Sequence, residues 1–293
     1  MNNRKSVQNK TISVSGAQKV YLDGIRREKI RVNCARVLIL VVFIAVWEAC
    51  AQSGIINDFI FSSPSRIMKC FVSMCADGSL FRHVWVTLYE TFISFFLVIG
   101  IGLTAAVLMW LSRSFSKIIE PYIVVLNSLP KSALAPILIV WLGNNIRTII
   151  ISAISVAVFG TILTLYTGFM EMDADKIKLI KTLGGTRFHV LTKVLIPGNL
   201  AVILNTMKVN MGLSLVGVII GEFLAANEGL GYLIIYGSQV FKLDWVMLSI
   251  IILCLMATLL YQFINILEKV LSKRYICLLY TSDAVDDLTR VDL

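Results

Sequence analysis

Long apolar stretches alternate with short polar ones along most of this chain. Six of them, at 37–56, 84–111, 121–142, 148–170, 199–222 and 245–266, have the length and composition of a membrane-crossing helix; such a helix takes about 20 apolar residues. Strict alternation in short strands, the mark of a membrane barrel, is absent. Helices are then the way to satisfy backbone hydrogen bonds in lipid. The expected fold is an all-α integral membrane protein with six transmembrane helices, the transmembrane domain running from 37 to 274. A basic tail at 1–36 precedes it.

The longest polar interruption, 173–197, reads DADKIKLIKTLGGTRFHVLTKVLIP. Two short amphipathic helices are expected there, divided by Gly184 and Gly185. Asp173 is the N-cap of the first, with Ile177, Ile180 and Leu183 on one face. Thr186 caps the second, with Phe188, Leu191 and Leu195 on its apolar face. Pro197 ends the pattern before the next span. A helix, a glycine turn, a second helix and a proline stop make a stiff knob at the membrane surface.

Other interruptions carry their own signals. Ser63-Pro64 starts a helix with Ile67, Met68, Phe71 and Val72 on one face, ended by Asp77-Gly78; it is expected to lie along the membrane surface. Glu48, inside the first apolar stretch, is expected to hydrogen-bond a neighbouring helix, because an acid facing lipid is costly. The third stretch holds Pro130 and Pro136 with Lys131 between them. Broken helices with a lone charge line pathways in transporters, and a plain kinked packing helix fits the same residues. The fifth carries Asn205, Lys208, Asn210, Gly212, Ser214, Gly217 and Gly221, a polar and small stripe unsuited to lipid, and ends at Glu222. No cleavage site follows the first stretch, which reads as a retained span. From Cys277 the text turns apolar and then acidic. CLLYTSDAVDD resembles translated transposon-adapter sequence, so 277–293 is read as a non-native tail.

Composition agrees with a membrane protein: 57% of the 293 residues are hydrophobic and 15% charged, with mean hydropathy +0.82. The net charge of +9 would suggest nucleic acid in a soluble protein. Here most Lys and Arg fall in the amino-terminal tail, at Arg113 and Lys117, at Lys176, Lys178, Lys181, Arg187 and Lys193 of the central segment, and at Lys269, Lys273 and Arg274. The opposite loops hold Arg66, Lys69, Arg82, Arg147 and Lys242. Orientation and anionic lipid explain this, with both termini and the central segment in the cytoplasm, and nucleic-acid binding is not expected. The six cysteines have no metal spacing; Cys70 and Cys75 are read as small apolar residues rather than a bridge. His83 and His189 have no ligand pattern nearby, so no metal site is expected.

The central segment resembles the cytoplasmic "EAA" loop of permease subunits of ABC importers: Glu-Ala-Ala, three residues, Gly, nine residues, Ile, one residue, Leu-Pro. Gly184 and Pro197 hold that spacing, and Val194 and Ile196 take the aliphatic positions. Lys178-Leu179-Ile180 replaces the Glu-Ala-Ala, removing an acid from the docking face. The run from Leu129-Pro130 to Pro136, ending in Trp141-Leu142-Gly143, is similar to the third span of the sulfonate, taurine and nitrate permease branch. Glu222 with Gly229-Leu230-Gly231-Tyr232 resembles the segment after that branch's fifth span. Glu90 departs from it, standing where a basic residue is usual.

The resemblance implies a type I importer permease-like bundle in a bacterial inner membrane. It implies a second permease subunit, a homodimer being expected, around a central pathway, and an extracytoplasmic solute-binding protein that delivers the solute. A cytoplasmic ABC ATPase would receive the coupling loop through Lys178, Leu179, Ile180, Leu183, Gly184, Gly185, Phe188 and Pro197. This chain has no GxxxxGK[ST] sequence, so ATP is expected on that partner and no cofactor on the chain itself. Pathway candidates are Pro130, Lys131, Pro136, Asn205, Lys208 and Glu222. Lys131 and Lys208, the basic residues well inside spans, suggest an anionic solute; Lys208 reads equally well as snorkelling to the boundary. The nearest rival is importer of a thiamine-precursor-like heterocycle. An ion-coupled secondary transporter would need acids at mid-depth and an internal repeat, and neither appears. No nucleophile–base pair or paired-carboxylate motif suggests an enzyme.

Overall fold

The computed structural model describes residues 16–53 and 62–289. The described residues are helical, with no strand. The chain divides into two compact units, Met1–Ser65 and Arg66–Leu293.

In the first unit, α1 (Gly16–Gln52) includes an apolar run, Ile30–Gln52, long enough to cross a membrane. The expected end of this span at Ile56 and residues 1–15 of the tail lie outside the described residues, and 16–36 of the tail form the first part of α1. Glu48 makes the hydrogen bond to a neighbouring helix that was expected, but without being buried. It is half-exposed and accepts from Gln52 Nε2 at 2.8 Å, Ser65 N at 3.1 Å and Ser65 Oγ at 2.7 Å. A carboxylate there caps the N-terminus of α2 (Pro64–Ala76).

The second unit begins within α2, which is followed by Gly78 in the left-handed region, φ 71°. Its buried face is Ile67 and Met74, while Met68, Phe71 and Val72 are exposed. The expected face was thus drawn too wide: at 100° per residue, Met68 and Val72 lie off the Ile67–Met74 line. Cys70 and Cys75 are free thiols. Burial first, and then Asp244, push the Cys70 thiol above its ordinary value.

The helices α3 (Ser79–Leu111), α6 (Ile146–Met170), α10 (Leu200–Ala225) and α12 (Leu243–Thr289) are span-like. The extended α12 runs past the expected boundary at 277. Each of the first three buries small and polar residues together with large apolar ones, such as Phe95 and Met109 on α3, Leu165 and Phe169 on α6, and Met211 and Leu215 on α10, and exposes further large apolar ones. On α3, Thr87, Glu90, Ser94, Val98, Gly102 and Ala106 are buried, whereas Phe81, Trp85, Phe96 and Ile101 are exposed. Small and polar residues at a packed face, with large apolar side chains also turned outward, suit helices surrounded by lipid.

Close approach of α10 to α6 depends on glycine at two positions. A Cβ on Gly217 would lie 2.6 Å from Ala153 Cα, and one on Gly221 2.9 Å from Ile149 Cα, so α10 and α6 touch backbone to backbone. Gly217→Ala should therefore cost about 1–3 kcal/mol by overpacking, read as a lower unfolding midpoint in detergent. An unchanged midpoint would show that the crossing yields.

The polar stripe predicted on α10 splits in two. Asn210, Ser214, Gly217 and Gly221 are buried, while Asn205 and Gly212 are exposed on another face. Thr161 Oγ1 of α6 donates to Asn210 Oδ1 at 3.0 Å.

The third expected span, 121–142, is not one helix. It forms α4 (Arg113–Ser128) and α5 (Lys131–Leu142), bent by 105°. Pro130 cannot extend α4, and the residue before a proline is pushed out of the helical region; Leu129 is extended at φ −66°, ψ 142°. Counting this bent pair as one span gives up to six crossings, and five without it.

Candidate functional site

The central segment folds through backbone capping. In α7 (Ala174–Thr182), the Asp173 carboxylate accepts from Asp175 N at 2.8 Å. The helix closes with Gly184 N–H on Lys181 O at 3.0 Å and Gly185 N–H on Ile180 O at 2.8 Å, the paired bonds of a Schellman turn. Gly184 sits at φ +79°, where a side chain is strained. A Cβ on Gly185 would meet Ile180 O at 2.7 Å. The glycine pair is therefore required twice, once for conformation and once for space.

Thr186 then opens α8 (Arg187–Val190), its N–H donating to His189 Nδ1 at 3.2 Å. The separate second helix ended by Pro197 does not form. α8 passes into a π-helical turn, Leu191–Leu195, then the short α9 (Ile196–Gly198), and so into α10. Pro197 lies in the first turn of α9, where a missing N–H is tolerated. The π turn places Leu191 and Leu195 in a buried cluster with Ala106 of α3 and Leu165 and Phe169 of α6. Arg187 Nη1 donates to Leu111 O, at the end of α3, at 2.9 Å. These contacts fix the segment to the span ends.

Its apolar residues divide accordingly. Val190, Leu191 and Leu195 are buried, while Leu179, Leu183 and Phe188 are 58, 75 and 67% exposed. Phe188 thus leaves the apolar face expected for it. Lys178 is exposed and pairs with Asp175 at 3.2 Å; Ile180 is half-buried against the turn.

At the other end of α10, Glu222 is 1% exposed and organises the loop that leads into α11 (Leu230–Gln239). Its Oε1 accepts from Thr87 Oγ1 at 2.6 Å and its Oε2 from Gly231 N at 2.6 Å. Thr87 Oγ1 in turn accepts from Leu230 N at 2.8 Å. His83 Nδ1 accepts from Gly229 N at 3.0 Å. Gly229 sits at φ +116°, and a Cβ on it would overlap the Glu222 carboxylate; one on Gly231 would lie 2.7 Å from Glu222 Oε2. The two glycines leave room for the acid. Arg82 pairs with Glu228 at the rim. Glu90 is 2% exposed and lies beside Glu222, with its Oε2 unpartnered.

The pathway candidates do not form one cluster. Pro130 and Pro136 are exposed at and beyond the α4–α5 bend, with Lys131 Nζ on Asn127 Oδ1 at 3.2 Å. Asn205 is exposed on α10. Lys208 pairs with Glu268 of α12 at 2.5 Å. Glu222 is in the latch just described. Sequence reasoning missed Thr87, His83 and the partnership of Glu90 with Glu222. Their spacing on α3, four and then three residues apart, was the available signal.

A family model described as binding-protein-dependent transport system inner membrane component matches residues 98–276. The chain is similar to the putative aliphatic sulfonates transport permease protein SsuC of Bacillus subtilis, 26% identical over 80% of this chain and 86% of that protein. It is similar to the taurine transport system permease protein TauC of Escherichia coli, 24% identical over 78 and 86%. The formylaminopyrimidine transport permease protein ThiX of Halalkalibacterium halodurans is 26% identical over 80 and 93%. Among solved structures, a chain of the inward-facing MetNI methionine ABC transporter gives a TM-score of 0.58 at 20% identity, covering 67% of this chain and 97% of that one. At that identity the likeness concerns the fold.

Proposed function

Because the chain belongs to the family of binding-protein-dependent transport system inner membrane components, and within it to the ABC importer permeases of the sulfonate and taurine branch, we propose that it forms the pathway for a small organic oxyanion and is driven through its central segment by a separate ATPase. Membership implies a multi-pass inner-membrane transport subunit with ATPase and binding-protein partners.

One observation carries the docking role. Leu179, Leu183 and Phe188 stand exposed on a capped, anchored turn between spans. Exposed apolar side chains on a rigid element are what a partner groove takes up. The segment then faces the cytoplasm with both termini, in keeping with its Lys and Arg. ATP is held by the partner, and nucleotide-driven closure of the ATPases displaces the segment. A second copy completes the pathway. The uncovered face of α10, with Asn205, Val209, Gly212 and Val216, supports that arrangement.

The anion assignment rests on the sulfonate and taurine relatives and on Lys131, which has an amide rather than a carboxylate partner. Lys208 is already matched by Glu268 and has the weaker case. The formylaminopyrimidine relative supports the second reading, a heterocycle. Proteoliposomes holding the permease, its ATPase and its binding protein should take up labelled taurine or pentanesulfonate only with ATP. Lys131→Gln should weaken that uptake about fivefold to tenfold, the worth of one charge-assisted contact. Uptake of a labelled pyrimidine instead would favour the heterocycle, and uptake of neither would defeat both.

A further inference from the structure

The helix α7 has a second face. Ile177 and Lys181 each lie two residues from Leu179 or Leu183, about 200° around the axis, and they line a cavity of about 830 Å³ beneath the helix. Trp110, Phe169, Met170 and Met172 form its apolar wall. Its charged lining is Arg113, Lys181 and Arg187, with no acid. Among the described residues, the ion pairs take up Arg66, Arg82, Lys178 and Lys208 and leave these three without a carboxylate. Arg187 spends one N–H on Leu111 O and keeps its charge unmatched.

Position adds to this chemistry. Leu111 and Met170 end the spans α3 and α6, so the cavity opens where two helices leave the apolar layer. A tryptophan at that depth and cations just beyond it match the boundary between acyl chains and headgroups.

We propose that this cavity seats an anionic phospholipid, with its phosphate against Arg113, Lys181 and Arg187 and an acyl chain along Trp110, Phe169 and Met170. The lipid then lies on the face of α7 opposite the apolar pair Leu179 and Leu183. It bridges the central segment to the ends of α3 and α6. Assigning the lipid to the cytoplasmic leaflet rests on the orientation given under Proposed function; the binding itself does not.

The test uses the purified full chain. Nanodiscs of phosphatidylcholine with increasing phosphatidylglycerol, read by native mass spectrometry of retained lipid, should show saturable enrichment of phosphatidylglycerol. Lys181→Gln and Arg113→Gln should each lower its apparent affinity about fivefold, the worth of one cation near an anionic surface, and together by more than either. Lys176→Gln, on α7 but outside the cavity, should change nothing. The unfolding midpoint of each variant without anionic lipid should equal that of the parent, which separates lost binding from lost folding. Equal retention by parent and double variant, or no preference over phosphatidylcholine, would overturn the proposal. So would saturable binding of hexanesulfonate, abolished in the double variant, without lipid preference; that assigns the cavity to a soluble amphiphilic anion. Failure of the transport reading leaves these results untouched. External labelling of a Leu183→Cys variant would change the leaflet but not the site.

Discussion

Replacing Leu183 and Phe188 together by aspartate should release the ATPase and abolish nucleotide-driven uptake while the chain stays folded. Both side chains are largely exposed, at 75 and 67%, and neither belongs to the buried cluster that holds the segment. Their loss should therefore leave the unfolding midpoint in place. Apolar anchors at the centre of an interface carry about 2 kcal/mol or more each, so affinity for the ATPase should fall about thirtyfold per side chain and more than a hundredfold for the pair. Gly185→Val should weaken docking by a different route. Its Cβ runs into Ile180 O, opening the Schellman turn, and here the midpoint should fall as well. Full co-purification of the double aspartate variant with the ATPase would remove this face from the docking surface.

The second large effect belongs to Glu222. Glu222→Ala leaves the Gly231 N–H and the Thr87 hydroxyl without their acceptor in a buried site. Each such loss costs about 1–3 kcal/mol, so a fall of roughly 2–6 kcal/mol is expected, with hydrogen exchange rising at residues 226–232. Glu222→Gln should be much milder. Its amide oxygen can accept from Gly231, and its NH₂ can donate to Thr87, whose hydroxyl rotates. Equal midpoints for the alanine and glutamine variants would show that the carboxylate does not hold the loop.

The spans were legible because apolar length is a strong signal; their interruptions were less so. Of the prolines around the third span, Pro121 and Pro136 are accommodated within helices and Pro130 is not. Composition gives no reason to single it out. The central turn was readable from Asp173 and the glycine pair, because caps are local chemistry. Pro197 was not, because the π turn before it lets the chain continue into α10. The latch at Glu222 joins residues far apart in sequence. Its glycines looked like turn formers until the carboxylate beside them showed why they must be small. Nor could helical periodicity show that Lys208 meets Glu268.

From Arg187 to Ala225 the helical path is nearly continuous, and α10 alone spans about 39 Å at 1.5 Å per residue. The same piece carries the exposed Phe188 near one end and the Glu222 latch near the other. It therefore works as a connecting rod. On the docking role proposed above, a shove delivered at the Phe188 end would have little slack to take up before it tugged the hasp at the Glu222 end, so opening and loading would be geared to one stroke.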